Sequence, residues 1–170
     1  MASWSRQKLF NGPGSLKQSE QSVSINDQMP RFAFEFFSSH YQEDLAGKNV
    51  LFLGVSYRGD VGDTRYSPVA LIYDLFVESS ANVFLHDPYV TFWEEKNASV
   101  TQSINEIAIN EIDIIVISAG HSIYQTKEFK SKIFLNDGLF IFDTIGLLQE
   151  EEISSLSKKN TIKILGRGDI

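Results

Sequence analysis

Four charged side chains lie in one short loop, directly after an apolar run that is typical of a buried strand. The run is 50–53, and the loop carries two arginines and two aspartates: Arg58, Asp60, Asp63 and Arg65. A helix start follows, because Ser67 can cap the free amides and Pro68 fits a first helical turn. The edge where strands of a parallel sheet end is its usual binding edge. The charges therefore indicate a ligand site or an interface.

Structural roles for these residue types stay open at the level of sequence. Asp63 and Arg65 can form an ion pair that only holds the loop. Asp87, which precedes Pro88, can simply end a strand. His121 can be a turn histidine whose ring is hydrogen-bonded to the backbone. Each of these residues thus has a structural as well as a ligand-binding interpretation.

Composition excludes several kinds of chemistry. The 170 residues contain no cysteine, which excludes disulfides, thiolate metal sites and cysteine nucleophiles and favours a cytoplasmic location. The net charge of -7 disfavours nucleic acid as a partner, because an acidic chain repels phosphate backbones. No apolar run is long enough to cross a bilayer, so we expect no membrane partner.

Apolar runs alternate with helical segments from residue 48 onward, which predicts an α/β fold. The predicted strands are 50–53, 82–85, 99–101, 113–118, 139–142 and 161–165, and the predicted helices are 68–79, 103–110 and 147–158. This alternation predicts a Rossmann-like parallel sheet of five to six strands with helices on both faces. Strand 50–53 is expected to be central.

An aromatic-rich helix is predicted ahead of this sheet. It spans 27–46, with Asp27 as its cap and Pro30 in its first turn. Its apolar stripe consists of Phe32, Phe36, Phe37, Tyr41 and Leu45. A helix this aromatic cannot stand alone in water. We expect the stripe to join two copies of the chain in a homodimer, and the competing outcome is that it packs on its own domain.

Three segments follow from these patterns: a polar leader or linker at 1–24, the helical segment at 25–46, and the Rossmann-like domain at 47–170. A dinucleotide-binding turn is not found in the sequence. The turn after the first strand does not carry the dinucleotide pattern GxGxxG, because only Gly54 occupies a glycine position. No cofactor is therefore expected to bind to this chain by itself.

Six short motifs occur in an order that is shared with one enzyme family. They lie at 25–30, 54–68, 85–90, 118–121, 142–144 and 165–167. In this order they resemble the C-terminal, UDP-binding domain of the UDP-glucose/GDP-mannose dehydrogenases. The likeness covers about residues 24–168, and it would make 25–46 the interdomain helix.

The resemblance implies weak binding of UDP or a UDP-sugar. The substrate-binding residues that it implies are Tyr57, Arg58, Asp63, Arg65, His121 and Asp143. The intact enzymes oxidise a sugar C6 alcohol to a carboxylate with NAD, for polysaccharide precursors, and their catalytic cysteine lies upstream with the NAD-binding domain. A cysteine-free chain cannot form the family's thioester. We therefore expect this chain to be inactive alone and to need the missing N-terminal domain as a partner.

Two departures from the family pattern affect the expected site. Arg58 replaces a lysine that faces the phosphates, so a planar fork replaces a point charge. Ile145 replaces an arginine, so one cationic contact is lost. These departures keep two alternatives open: a standalone nucleotide-binding or regulatory module, and a dimerisation domain that binds no ligand.

Overall fold

A five-stranded parallel sheet organises the described part of the chain, residues 17–42 and 44–167 of the computed structural model. The strands of this sheet are β1 (Asn49–Leu53), β2 (Asn82–His86), β5 (Ile114–Ile117), β6 (Phe140–Asp143) and β7 (Thr161–Ile164), and a separate antiparallel hairpin consists of β3 (Phe92–Trp93) and β4 (Ala98–Ser99). The strand order is β2-β1-β5-β6-β7, and all four pairings are parallel. The predicted Rossmann-like sheet is confirmed. β1 is an interior strand, although β5 is the middle one.

Helices cover both faces of this sheet, as predicted. They are α1 (Lys17–His40), α2 (Val69–Glu78), α3 (Lys127–Ile133) and α4 (Glu150–Leu156). Successive strand residues point to opposite faces, so β1 sends Val50 and Phe52 into the core under α1 and α2. It sends Leu51 and Leu53 into the core under α3 and α4. No described helix is both long and apolar enough to cross a membrane.

Helix α1 differs from its predicted bounds at both ends. It begins at Lys17 rather than at residue 27, so Asp27 and Pro30 lie inside the helix instead of at its start. Proline in a helix interior removes one backbone hydrogen bond, but Pro30 is buried against the domain. The helix ends at His40, where Ser39 and His40 both bond the carbonyl of Phe36 at 2.8 Å. Residues 1–16 of the predicted polar leader lie outside the described residues.

Smaller elements depart from the prediction where short-range signals compete. The capping box expected at 103–106 does not form, and a single 3-10 turn occupies Ile104–Glu106. The strand expected at 99–101 contributes β4 and one parallel bridge between His86 and Thr101, but it does not join the sheet. Helix α3 was not predicted, although Thr126 caps it through a bond from the amide of Phe129. The helix has only seven residues and two buried side chains, Phe129 and Ile133, so its sequence shows no clear helical periodicity.

The aromatic stripe of α1 packs mainly on its own domain. The ring of Phe37 is fully buried and lies 4.9 Å from Phe76 and 5.3 Å from Phe140, centre to centre. Phe36 and Tyr41 are half-buried against the same core. Phe32 is 48% exposed, so it does not take part in this packing. Within a single chain, the stripe therefore packs on its own domain, which is the alternative to the expected dimer.

The contrast between two phenylalanines of α1 gives the first prediction. Phe37→Ala should lower the free energy of unfolding by about 3–5 kcal/mol, because it leaves a cavity among buried rings. Phe32→Ala on the same helix should change it by no more than about 0.5 kcal/mol at protein concentrations where the chain is monomeric. Urea unfolding followed by circular dichroism measures both. Equal losses for the two variants would contradict the docking of α1 on the sheet.

Candidate functional site

The connection between β1 and α2, residues 54–68, forms the candidate site at the carboxyl edge of the sheet. The chain leaves β1 toward β2 on one side, whereas β5 continues toward β6 on the other. Ligands of open α/β sheets bind at such a switch point. Gly54 has a φ of +97°, and a Cβ added to it would lie 2.3 Å from the Cβ of Ala119. The two strand ends therefore approach each other too closely for any side chain at residue 54.

Tyr57 and Arg58 are two adjacent exposed side chains of this connection. Tyr57 is 62% exposed, and its amide donates to the carbonyl of Asp63 at 2.7 Å, which closes the loop 57–63. Arg58 is also exposed. Both side chains are thus available to a ligand at the sheet edge.

Asp63 and Arg65 form a bidentate ion pair. The Nε and Nη2 atoms of Arg65 donate to the two carboxylate oxygens of Asp63 at 2.9 and 2.8 Å. The hydrogen bonds from Arg65 lower the pKa of Asp63 to about 2. This is the loop-holding geometry that the sequence left open, and both side chains remain solvent-exposed at the same edge.

Asp87, just past the end of β2, connects the site to the core. Its carboxylate is fully buried, and Oδ2 accepts bonds from the amides of Val55 and Ser56 at 3.0 and 3.1 Å. The hydroxyl of Ser56 donates to the same oxygen at 2.8 Å, and the amide of Tyr89 donates to Oδ1 at 2.9 Å. Burial by itself would raise the pKa of Asp87, but these bonds and one from His121 hold it below its ordinary value.

His121 joins Asp87 to the middle of the loop. Its Nδ1 lies 2.9 Å from the amide nitrogen of Asp60, and its Nε2 lies 3.0 Å from Oδ2 of Asp87. The Asp60 carboxylate in turn accepts bonds from the amide and hydroxyl of Ser122 at 2.9 and 3.0 Å. His121 is fully buried. The structure therefore places it behind the loop rather than on the open face.

Close backbone contacts hold the same loop from two sides. A Cβ on Gly59 would lie 2.1 Å from the carbonyl oxygen of Gly120, and one on Gly62 would lie 2.6 Å from that of Tyr89. Glycine is required where backbones approach this closely. On a third side, the hydroxyl of Thr64 donates to Glu95 of the β3–β4 hairpin at 2.8 Å.

A second histidine lies beneath the site. His86 is buried, its Nδ1 lies 3.0 Å from the hydroxyl of Tyr124, and burial lowers its pKa to about 4. Burial also raises the pKa of Tyr124. Both groups are therefore neutral at pH 7 and serve as packing under the loop.

Asp143 shapes the neighbouring turn after β6. Its carboxylate is fully buried and accepts bonds from the amides of Ile145 and Leu148 at 3.1 and 2.9 Å. The turn exposes 45% of Ile145. The candidate residues thus separate into an exposed set, formed by Tyr57, Arg58, Asp63 and Arg65, and a buried set, formed by His121 and Asp143.

A groove of about 650 Å³ lies beside Tyr57, which is the member of the exposed set that lines it. Its floor includes Ser118 and Thr144 at the ends of β5 and β6, and its walls include Tyr57, Ile145 and the middle of α1. The helix α2 begins at this groove, where Ser67 accepts a long bond of 3.4 Å from the amide of Val69. The groove therefore combines apolar walls with a helix N-terminus.

Sequence reasoning missed the central role of Asp87 and the contribution of α1 to the groove. A buried aspartate after a strand could have been suspected, because an ionised carboxylate in a core needs several donors. The α1 wall had no local signal, since it depends on how the helix lies across the sheet. Within the described residues, no group of three or more metal-ligating side chains comes together.

Comparison with known proteins gives a consistent family assignment. Residues 51–150 match the family model described as UDP-glucose/GDP-mannose dehydrogenase family, UDP binding domain. A UDP-N-acetyl-D-mannosamine dehydrogenase of Methanocaldococcus jannaschii is 31% identical over 151 residues, covering 85% of this chain and 32% of the relative. A Methanococcus maripaludis protein of the same name is 27% identical over 157 residues, covering 85% and 33%. The chain spans about a third of the length of these relatives.

Solved structures share the fold. An NDP-N-acetyl-D-galactosaminuronic acid dehydrogenase from Methanosarcina mazei superimposes with a TM-score of 0.76 at 24% identity, over 93% of this chain and 34% of that one. A UDP-D-ManNAc dehydrogenase from Pyrococcus horikoshii gives 0.74 at 22% identity, over 95% and 36%.

The glycine contacts of the loop generate the second prediction. Gly59→Ala should lower the free energy of unfolding by about 1–3 kcal/mol and shift the amide resonances of 57–63, because its Cβ meets a backbone carbonyl that cannot rotate away. Gly120→Ala is the matched control, since its Cβ would meet only the Cδ1 of Ile145 at 3.5 Å. Thermal unfolding and amide NMR spectra measure both effects. A Gly59→Ala protein as stable as Gly120→Ala would contradict the close packing of this loop.

Proposed function

The chain belongs to the UDP-glucose/GDP-mannose dehydrogenase family, and we propose that its UDP-binding domain binds the diphosphate of a UDP-sugar at the connection 54–68. The observation that carries this proposal is an exposed cation, Arg58, on a loop that is fixed from behind at the sheet's binding edge. A loop that is ordered before binding loses little entropy when the ligand arrives.

Each of the six candidate residues has a role in this proposal. Arg58 pairs with phosphate through its planar fork. Tyr57 forms a wall of the site beside the groove. Asp63 and Arg65 hold the loop or dock a separate NAD-binding domain, and the buried His121 and Asp143 shape the two turns from below. The N-terminus of α2 adds a favourable potential for an anion.

The whole enzyme's reaction requires more than this chain. We propose that a protein containing this domain oxidises the C6 alcohol of a nucleotide sugar to a carboxylate, with NAD bound in a separate N-terminal domain. The connection after β1 lacks the GxGxxG pattern of dinucleotide-binding turns, and this supports a separate site for NAD. This chain's share is to bind the nucleotide and close its side of the cleft. The expected cytoplasmic location remains a prediction.

The UDP site is tested by titration. UDP should bind the chain weakly, with a Kd on the order of 0.1 mM or above, because only one side of the cleft is present. Arg58→Ala should weaken binding about tenfold by removing a charge-assisted hydrogen bond. Lys158→Ala removes an equal charge from an exposed residue just past α4, so it should leave the affinity unchanged. Chemical-shift titration monitors the amides of Tyr57 and Arg58.

A gain of affinity provides the complementary arm of this titration. Ile145 is half-exposed in the wall of the groove. Ile145→Arg should tighten UDP binding about tenfold, whereas Ile145→Gln supplies a polar side chain without charge and should not. Stationary resonances in millimolar UDP for the unmodified chain and for Ile145→Arg would overturn the proposed site and favour a module that binds no nucleotide.

Self-association through 27–46 is the second candidate function. The observation that favours it is an exposed apolar row on α1, formed by Ile25, Met29 and Phe32. These residues recur at helical spacing and so share one face. Met29 and Phe32 lie within the region 27–46, and Ile25, just before that region, extends the same face. We propose that this row joins two chains about a two-fold axis.

Light scattering tests the dimer. At tens of micromolar the chain should scatter as twice its mass of 19.2 kDa. Phe32→Asp should yield the monomer without loss of helix content, because Phe32 is not part of the core. Glu35→Gln on the same helix is the control. A 19.2 kDa species for the unmodified chain would contradict the dimer.

A further inference from the structure

The loop 57–63 depends on one buried imidazole for its shape. Within the loop, the amide of Tyr57 bonds the carbonyl of Asp63. The middle of the loop is held from outside, where the amide of Asp60 points to Nδ1 of His121 at 2.9 Å. Asp60 has a φ of +59°, an uncommon backbone conformation for a residue with a side chain. Holding it there requires specific contacts.

The partners of His121 fix which ring nitrogen carries the proton. A backbone amide can only donate, so Nδ1 must accept the bond from Asp60. Nε2 then carries the hydrogen and donates to the carboxylate of Asp87 at 3.0 Å. The two nitrogens of the ring thus have separate duties, one toward the loop and one toward the core.

The bond from Nε2 to Asp87 and the bond from the Asp60 amide to Nδ1 differ in how much each partner depends on His121. Asp87 also accepts bonds from the amides of Val55 and Ser56 and from the Ser56 hydroxyl, so three donors to Oδ2 remain without His121. Within the described residues, Nδ1 of His121 is the acceptor of the Asp60 amide, and Asp60 lies two residues after Arg58. An apolar side chain could fill the place of His121 at lower polar cost, but it could not accept this bond.

We propose that His121 is a positioning residue for nucleotide binding, acting through Nδ1 and the Asp60 amide to hold Arg58 and Tyr57 toward the ligand. This inference rests on the proposed UDP site. Its specific content is that the Nδ1 acceptor sets the affinity, whereas the Nε2 donor orients the ring and contributes to stability. Asp87 is the group that selects the required tautomer.

Two substitutions separate the duties of the nitrogens. His121→Asn places an amide oxygen near the position of Nδ1 and keeps an acceptor for Asp60. His121→Gln places an amide nitrogen near the position of Nε2 and keeps the donor to Asp87 while removing that acceptor. Each substitution removes ring volume from a fully buried place, so both should lose stability.

The experiment measures UDP affinity and hydrogen exchange of the Asp60 amide in the 170-residue chain. His121→Gln should bind UDP about three- to tenfold more weakly, the effect of one lost hydrogen bond, and its Asp60 amide should exchange faster. His121→Asn should keep the affinity within about twofold and protect the amide. A ring-nitrogen NMR spectrum of the unmodified chain should show the hydrogen on Nε2.

The outcomes distinguish this inference from the proposed function. If the unmodified chain binds no UDP, the proposed nucleotide site is wrong. Hydrogen exchange of the Asp60 amide then decides by itself whether His121 holds the loop. Equal loss of affinity in both variants, in proportion to their stability, would show a merely structural histidine and overturn the proposal. A hydrogen found on Nδ1 would overturn it as well.

Discussion

The buried carboxylate of Asp87 is the interaction on which the candidate site depends. It lies where three chain segments meet: the start of the β1–α2 connection, the end of β2 and the turn after β5. A charge without water is stable only when donors surround it. Here the donors are the amides of Val55 and Ser56, just before the loop 57–63, and His121, which also bonds Asp60, so the bonds to this charge also fix the shape of the loop.

Close backbone contacts also fix the loop in place, in addition to the bonds of Asp87. Gly54, Gly59 and Gly62 each bring the chain against Ala119, Gly120 or Tyr89 at distances that exclude a side chain. The loop is consequently packed like a core segment although it carries exposed residues. This rigidity suits a binding surface, because the side chains that meet a ligand are ordered before it arrives.

The exposed and the buried polar side chains of the site have different roles. Arg58 meets solvent at the sheet edge, whereas Asp87, His121 and Asp143 are fully buried and hydrogen-bonded within the chain. The groove beside Tyr57 is closed on one side by α1, which docks through Phe37. Docking of the helix and formation of the groove are therefore one event, and the aromatic core supports the site indirectly.

The sequence determined the features that short-range patterns encode. Apolar runs such as 50–53 and 113–118 predict buried parallel strands, because both faces of such strands are covered. The ordered motifs gave the family and identified the loop that carries Tyr57 and Arg58. The ion pair of Asp63 and Arg65 was also among the expected possibilities, since the two residues are close in the chain.

Tertiary structure alone decided the rest. The bond between His121 and Asp87 joins residues distant in the chain, and no local pattern reveals such a pairing. The same holds for the contact of Gly59 with Gly120 and for the wall that α1 adds to the groove. Helix α1 continues through Pro30, which is buried on the domain, although a proline by itself predicts a helix start nearby. Residue types fix which contacts are possible, and only the crossing of distant segments decides which ones form.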